Sequence, residues 1–168
     1  ATRHQLSAHD VRTGEIAWTY GQYPADLNDP ERDWEFASAL KAHTTDGRHL
    51  LTLHDDGNAA CLEVRTGQVI WQRQLEHMPS GALMMADPWL VYQGARQNKT
   101  VYCLMDLATG RPGRVIDPDD DRQILQMFFS LDGNLLLVTT QTITSYDPLT
   151  GEQRWRHQID GNMIDAMV

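Results

Sequence analysis

Short apolar runs alternate with polar turns along nearly the whole chain, and none of them is long enough or periodic enough for a helix. From Phe36 onward, "FASALKAHT" gives a first strand, "TDG" a turn, "RHLLTLH" a return strand, and "DDG" a second turn. "NAACLEV" then runs outward, "RTG" turns, and "QVIWQRQL" closes the unit. β-Branched and apolar stretches bounded by Gly, Asp and Asn predict strands and tight hairpins, and the absence of a sustained 3.6-residue stripe excludes an α-helical repeat. The same order returns in "GALMMA", a turn at Asp87-Pro88, "WLVYQGA", a turn from Arg96 to Lys99, "TVYCLMD", "LATG" and "RPGRVI". It returns once more in "ILQMFFS", "LDG", "NLLLVTT", "QTITSYD", "PLTG" and "EQRWRHQI".

A sharper signal lies on top of this pattern. "AHDVRTGEIAW" (Ala8 to Trp18), "CLEVRTGQVIW" (Cys61 to Trp71) and "SYDPLTGEQRW" (Ser145 to Trp155) each place an acid, two residues, Thr-Gly, three residues and Trp in order. A fourth copy, "LMDLATGRPGR", keeps Asp106, Thr109 and Gly110 but carries Arg114 where the Trp belongs. The glycines, Gly14, Gly67, Gly110 and Gly151, are spaced by 53, 43 and 41 residues. A strand-rich period of about 40 to 50 residues is the signature of propeller blades. In each copy the acid (Asp10, Glu63, Asp106, Asp147) is placed to accept backbone N–H groups of the turn ahead, and the Gly supplies a left-handed residue. The Trp, four residues later on the outer strand, is expected to cover the joint to the next blade while its N–H meets a carbonyl. Single blades are too thin to bury themselves, so such joints supply most of the stability.

Composition narrows the partners. The formal charge is -9 and the pI is near 5.1, which argues against nucleic acid and anionic membranes, both of which need clustered Lys and Arg. No apolar run approaches the roughly 18 residues of a membrane span, so no membrane insertion by this segment is expected. Cys61 and Cys103 stand alone in separate strand-like runs and read as small buried side chains. The seven histidines show no metal-binding spacing, there is no G-x-S-x-G elbow, and the glycines punctuate hairpins without forming a phosphate cradle.

With the motif spelled out, the spelling A-x-D-x-x-T-G-x-x-x-W, complete from Ala8 to Trp18, resembles the tryptophan-docking repeat of the PQQ-like, or quinoprotein-type, β-propeller family. That family includes PQQ-dependent alcohol and sugar dehydrogenases, the propeller lipoprotein of the bacterial outer-membrane barrel-assembly machinery, and sensor domains attached to kinases. The resemblance implies an all-β propeller segment of four-stranded antiparallel blades. It implies docking roles for Trp18, Trp71 and Trp155, with turns set by Gly14, Gly67, Gly110 and Gly151, and it suggests a periplasmic or otherwise extracytoplasmic location. Arg114 departs from the pattern and puts its joint in question. The expected division is a partial blade over 1–20, blades over 36–75, 81–116 and 124–159, and a first strand of a further blade over 162–168. That division reads as a portion of a ring of seven or eight blades.

Function is harder to read than fold, since one architecture carries many activities. The two loops that leave an outer strand for the next inner strand are acid-rich: Gly21 to Phe36, with Asp29, Asp33 and Trp34, and Asp117 to Arg122, with Asp117, Asp119, Asp120 and Asp121. Together they predict an acidic contact face for a basic protein partner or a cation, with Trp34 as its aromatic element. Asp117, Asp119 and Asp121 have the 1, 3, 5 spacing of a calcium loop, but Arg122 stands where Gly is needed and Phe128 where Glu is needed. No catalytic, cofactor-binding or metal residues are assigned. The reading is a non-catalytic scaffold for protein binding, without a cofactor. The alternatives are a portion of a PQQ-dependent dehydrogenase, using PQQ and calcium bound outside this segment, or a sensor domain tethered to a kinase or membrane anchor.

Overall fold

The computed structural model describes residues 6–20, 40–54, 56–118 and 124–159. Every regular element within them is a β-strand. The chain divides into two compact units, Ala1–Pro79 and Ser80–Val168.

In the first unit a hairpin of β1 (Leu6–His9) and β2 (Ile16–Tyr20) precedes a four-stranded antiparallel sheet. The sheet runs in sequence order through β3 (Leu40–Thr45), β4 (His49–His54), β5 (Asn58–Glu63) and β6 (Val69–Gln74). Its middle strands are buried without alternation: Leu51, Thr52 and Leu53 on β4 and Ala59 to Leu62 on β5 are all at most 1% exposed. That is why "LLTL" and "AACL" read as continuous apolar runs, for a strand covered on both faces has no solvent side to keep polar. On β6 only Trp71 is buried.

The second unit carries two such sheets. One contains β7 (Met78–Ala86), whose first two residues precede the unit boundary, then β8 (Trp89–Arg96), β9 (Lys99–Asp106) and β10 (Pro112–Ile116). The other contains β11 (Gln126–Phe129), β12 (Leu135–Val138), β13 (Thr142–Tyr146) and β14 (Gln153–Gln158). Between β8 and β9 the turn is a two-residue one, with Arg96 paired to Lys99 and both Gln97 (φ 50°) and Asn98 (φ 64°) left-handed. That is the backbone a two-residue hairpin requires, because it matches the twist of the flanking strands.

One apolar core joins these two sheets: Val91, Tyr102, Leu104 and Ile116 from the first pack with Leu135, Leu137 and Tyr146 from the second. Met84, Trp89, Met127 and Phe129 lie partly buried around it. The outermost strand β14 is exposed at every position. Three four-stranded antiparallel sheets and a leading hairpin make this a partial β-propeller, each sheet a blade.

Candidate functional site

The Thr-Gly corners are the same object four times. In each, the acid's backbone carbonyl accepts the Gly N–H at 2.8 Å, from Gly14 to Asp10, Gly67 to Glu63, Gly110 to Asp106 and Gly151 to Asp147. The acid's own N–H donates to the carbonyl of the residue after the Gly at 2.9 Å. The threonine hydroxyl accepts the N–H two residues on, at 3.2 to 3.3 Å, from Glu15, Gln68, Arg111 and Glu152. All four glycines have φ between 66° and 77°, a region that costs a side chain roughly 1–2 kcal/mol.

The carboxylates complete the corner. Asp10 Oδ1 accepts the N–H of Arg12 at 2.8 Å and of Thr13 at 3.2 Å. Asp147 Oδ1 accepts those of Leu149 at 2.7 Å and Thr150 at 3.1 Å. Asp106 takes both the N–H and the hydroxyl of Thr109. Glu63, one carbon longer, takes the Thr66 hydroxyl. The Thr150 N–H, with the Arg154 guanidinium beside it, holds the Asp147 carboxyl below the usual carboxylate range.

Past two of the corners comes a residue that reaches toward the next blade. The Trp18 indole N–H donates to the Val64 carbonyl at 2.8 Å, and its ring lies so close over the next corner that a Cβ on Gly67 would be 2.5 Å from it. Tyr20, two residues on, is hydrogen-bonded to Thr52, and burial raises its pKa. Across each hairpin the indole faces a small side chain: Ala8 opposite Trp18, Cys61 opposite Trp71 and Ser145 opposite Trp155. Trp71 is 7% exposed, whereas Trp155 on the last described strand is 46% exposed.

The fourth copy, which lacks the indole, is nevertheless held. Arg114 Nε donates to the Leu149 carbonyl at 3.0 Å, and its Cβ lies 3.7 Å from where a Cβ on Gly151 would stand. The question raised by this departure is thereby answered: a guanidinium reaches the next corner much as the indole of Trp18 does. In this copy Leu104 takes the place of the small residue, two positions before the acid, and the ladder shifts register between Pro112 and Val115.

Of the acids expected to form a contact face, only Asp117 lies among the described residues, exposed just past the end of β10. Asp29, Asp33 and Trp34 in the first loop, and Asp119, Asp120 and Asp121 in the second, lie outside the described residues. Among the described residues no group of three His, Cys, Asp or Glu side chains could hold a metal ion. Cys61 and Cys103 are both buried and neither is in a disulfide, and burial pushes the Cys61 thiol up to about 11.

A feature that the sequence patterns did not reveal is a cleft of about 490 Å³ in the second unit. Pro88 of the β7–β8 turn and Trp89 at the start of β8 form one side, the Asp132–Asn134 turn another, and Pro148, Leu149 and Arg154 the third. Its charged groups are unevenly matched. Arg154 is ion-paired with Asp147, while Asp132 is hydrogen-bonded by the Ser130 hydroxyl and the Asn134 amide.

Comparison with known proteins now bears on this architecture. The family model of the outer membrane protein assembly factor BamB, a PQQ-like repeat model, matches residues 1–157. The chain belongs to this PQQ-like, BamB-type propeller family. Among solved structures, BamB from Moraxella catarrhalis is similar at 16% identity with a TM-score of 0.63, over 94% of this chain and 45% of that one. A europium-containing methanol dehydrogenase is similar at 13% identity with a TM-score of 0.60, over 92% and 38%. The computationally designed Ika8 protein is similar at 20% identity with a TM-score of 0.53, over 72% and 37%. These likenesses concern the fold, and the chain spans less than half the length of each. None of the curated protein sequences matches.

Proposed function

We propose that this chain is a non-catalytic PQQ-like propeller platform for protein–protein binding, acting outside the cytoplasm. The observation that carries the reading is the match of residues 1–157 to the family of an outer membrane protein assembly factor. The motif residues of the family are spent here on turns and joints: the acids cap corners, the threonines accept N–H groups, and Trp18 and Arg114 bridge to the next corner. In this reading the acid-rich loops, Gly21 to Phe36 and Asp117 to Arg122, meet a basic partner. Clustered charge of one sign steers such encounters.

The test is capture of partners from an extract of the source cells by the full-length protein. Changing Asp117, Asp119, Asp120 and Asp121 together to Asn is expected to weaken capture, most strongly at low salt, while the melting temperature stays nearly constant. Capture that ignores the four changes removes the acidic face.

Similarity to a methanol dehydrogenase supports a second reading, in which the segment belongs to a PQQ-dependent enzyme. The described residues do not fit a PQQ–calcium site, because no group of three candidate metal ligands comes together among them. Cys61 and Cys103 are buried on two different sheets. Under this reading the site would belong to other blades. Adding PQQ and calcium to the full-length protein and measuring dye-linked alcohol or sugar oxidation separates the two.

A further inference from the structure

Two joints of this fold share one form: the residue four places past one corner's glycine lies on the next corner and hydrogen-bonds a carbonyl there. Trp18 does so at Val64 and Gly67, and Arg114 at Leu149 and Gly151. Gly67 and Gly151, so covered, are half-buried. The Asp10–Gly14 corner differs. Gly14 is exposed, an added Cβ there meets nothing within 4 Å, and Val11 beside it is 98% exposed. The Val11 carbonyl accepts no hydrogen bond among the described residues.

This bare corner is nonetheless built like one that an indole covers. Val11-Arg12-Thr13-Gly14 repeats Val64-Arg65-Thr66-Gly67 residue for residue, and the latter is the corner on which Trp18 is seated. The backbones agree as well, with glycine φ of 76° and 69° and the same 2.8 Å bond from the glycine N–H to the acid's carbonyl. The same four residues in the same turn present the same carbonyl, so what docks on one fits the other.

The complementary half stands on β14. Trp155 holds the place of Trp18 in its own copy of the repeat, four residues past Gly151, yet it is 46% exposed where Trp71 is 7% exposed. Its indole N–H donates no hydrogen bond among the described residues. Across its hairpin it faces Ser145, a small residue like the Ala8 that faces Trp18. A large amphipathic ring left half in water, with its donor unused, gains both burial and a hydrogen bond when a matching corner closes over it.

We infer that the chain associates head to tail with a second copy of itself: the Trp155 indole of one copy covers the Asp10–Gly14 corner of the next and donates its N–H to the Val11 carbonyl there. One chain carries both halves of a joint that its own fold already forms, so a second copy brings a surface of demonstrated fit. The two surfaces differ, which makes the contact heterologous, and such contacts continue until they close into a ring. Neither surface includes the acid-rich loops, so the inference stands or falls separately from the protein-binding reading above.

Sedimentation velocity of the full-length protein over a concentration series is the test, because assembly follows mass action. The protein is expected to sediment as an assembly larger than one chain. Trp155→Ala and Val11→Glu, both at exposed side chains, are each expected to raise the concentration needed for assembly at least about tenfold, as loss of an aromatic anchor does. Both should keep the far-UV circular dichroism of the parent, and Val11→Glu carries the test alone if Trp155→Ala does not. The first variant retains the corner and the second retains the indole, so their equimolar mixture is expected to form a single joint and sediment as a dimer that neither forms alone. A full-length protein that stays monomeric at every concentration overturns the inference, whether a further blade or the chain's own first corner covers Trp155. An assembly that survives either substitution, or folded variants that do not pair on mixing, overturns it equally.

Discussion

Arg114 donates from Nε to the carbonyl of Leu149 across 3.0 Å, in the position where three other copies of the repeat carry tryptophan. A planar guanidinium and an indole share two properties that matter at this joint: a flat apolar surface and an N–H directed away from it. The joint between the two blades of the second unit therefore has the same kind of hydrogen bond as Trp18 makes to Val64. Arg114→Ala is expected to lower stability by about 1 kcal/mol, the net value of one such bond. Arg114→Lys should recover little of it, because an ammonium lacks the fork geometry. Urea unfolding of the three proteins measures the difference.

Trp71 is 7% exposed and lies opposite Cys61 on the outer strand of its blade. Trp71→Ala is expected to cost about 3–5 kcal/mol, as for other buried aromatic truncations. Leu131→Ser, at a fully exposed side chain, should stay within about 0.5 kcal/mol. Thermal melts of the two variants side by side check the contrast.

Gly14 and Gly67 occupy equivalent corners with φ of 76° and 69°, yet they differ in what surrounds them. An added Cβ meets nothing within 4 Å at Gly14 but would come within 2.5 Å of the Trp18 ring at Gly67. Gly14→Ala should therefore cost only the left-handed backbone penalty of about 1–2 kcal/mol. Gly67→Ala should cost clearly more, because the indole must also move. Denaturant midpoints resolve the two, and equal losses would show that backbone strain alone governs these corners.

Asp46 supplies a pH-dependent contribution in the first unit. Burial alone would raise its pKa, but the backbone N–H and imidazole of His49, together with the Arg48 N–H, hold the carboxyl down at about 2. A depressed folded-state value means the contribution is complete above the unfolded pKa of about 3.9 and is lost as pH falls toward about 2. After allowance for solvent screening at this partly exposed pair, the size is on the order of 1 kcal/mol. Asp46→Asn should flatten the stability profile between about pH 4 and 2 and lower stability at neutral pH by a similar amount.

Both cysteines are buried and outside any disulfide, and the Cys61 thiol is pushed up to about 11, so very little Cys61 thiolate is present at neutral pH. A thiol-specific colorimetric reagent is expected to react negligibly with the folded protein at pH 7.5 and with both cysteines in denaturant. Rapid labelling under native conditions would mean that these strands open locally.

The fold was legible in the sequence because its diagnostic chemistry is local. Every hydrogen bond that defines a Thr-Gly corner closes within six residues, so Asp10, Thr13 and Gly14 state their own geometry. The middle strands were readable as strands despite lacking alternation, since Leu51 to Leu53 and Ala59 to Leu62 are short apolar runs bounded by turns. Arg114 was not readable in the same way. Its partner carbonyl lies 35 residues on, and a substitution within a motif looks like a loss until the distant acceptor is seen. The cleft was less legible still: Trp89, Asp132 and Arg154 come from two separate strands and a turn, and no spacing rule brings them together. In the sequence, turn residues such as Asp87-Pro88 and Asp132-Gly133 read only as punctuation, yet punctuation from two adjoining sheets contributes to its walls.

The closed bonding of the corner also bears on how such a chain can arise and be rebuilt. A hairpin that satisfies its own backbone asks nothing of its surroundings, so a whole sheet can be duplicated in tandem, and the copy lands with its outer strand already aimed at the neighbouring corner. The stretches linking one sheet to the next are then free to lengthen and diversify without renegotiating the scaffold, which makes this architecture a natural chassis for grafting new recognition segments.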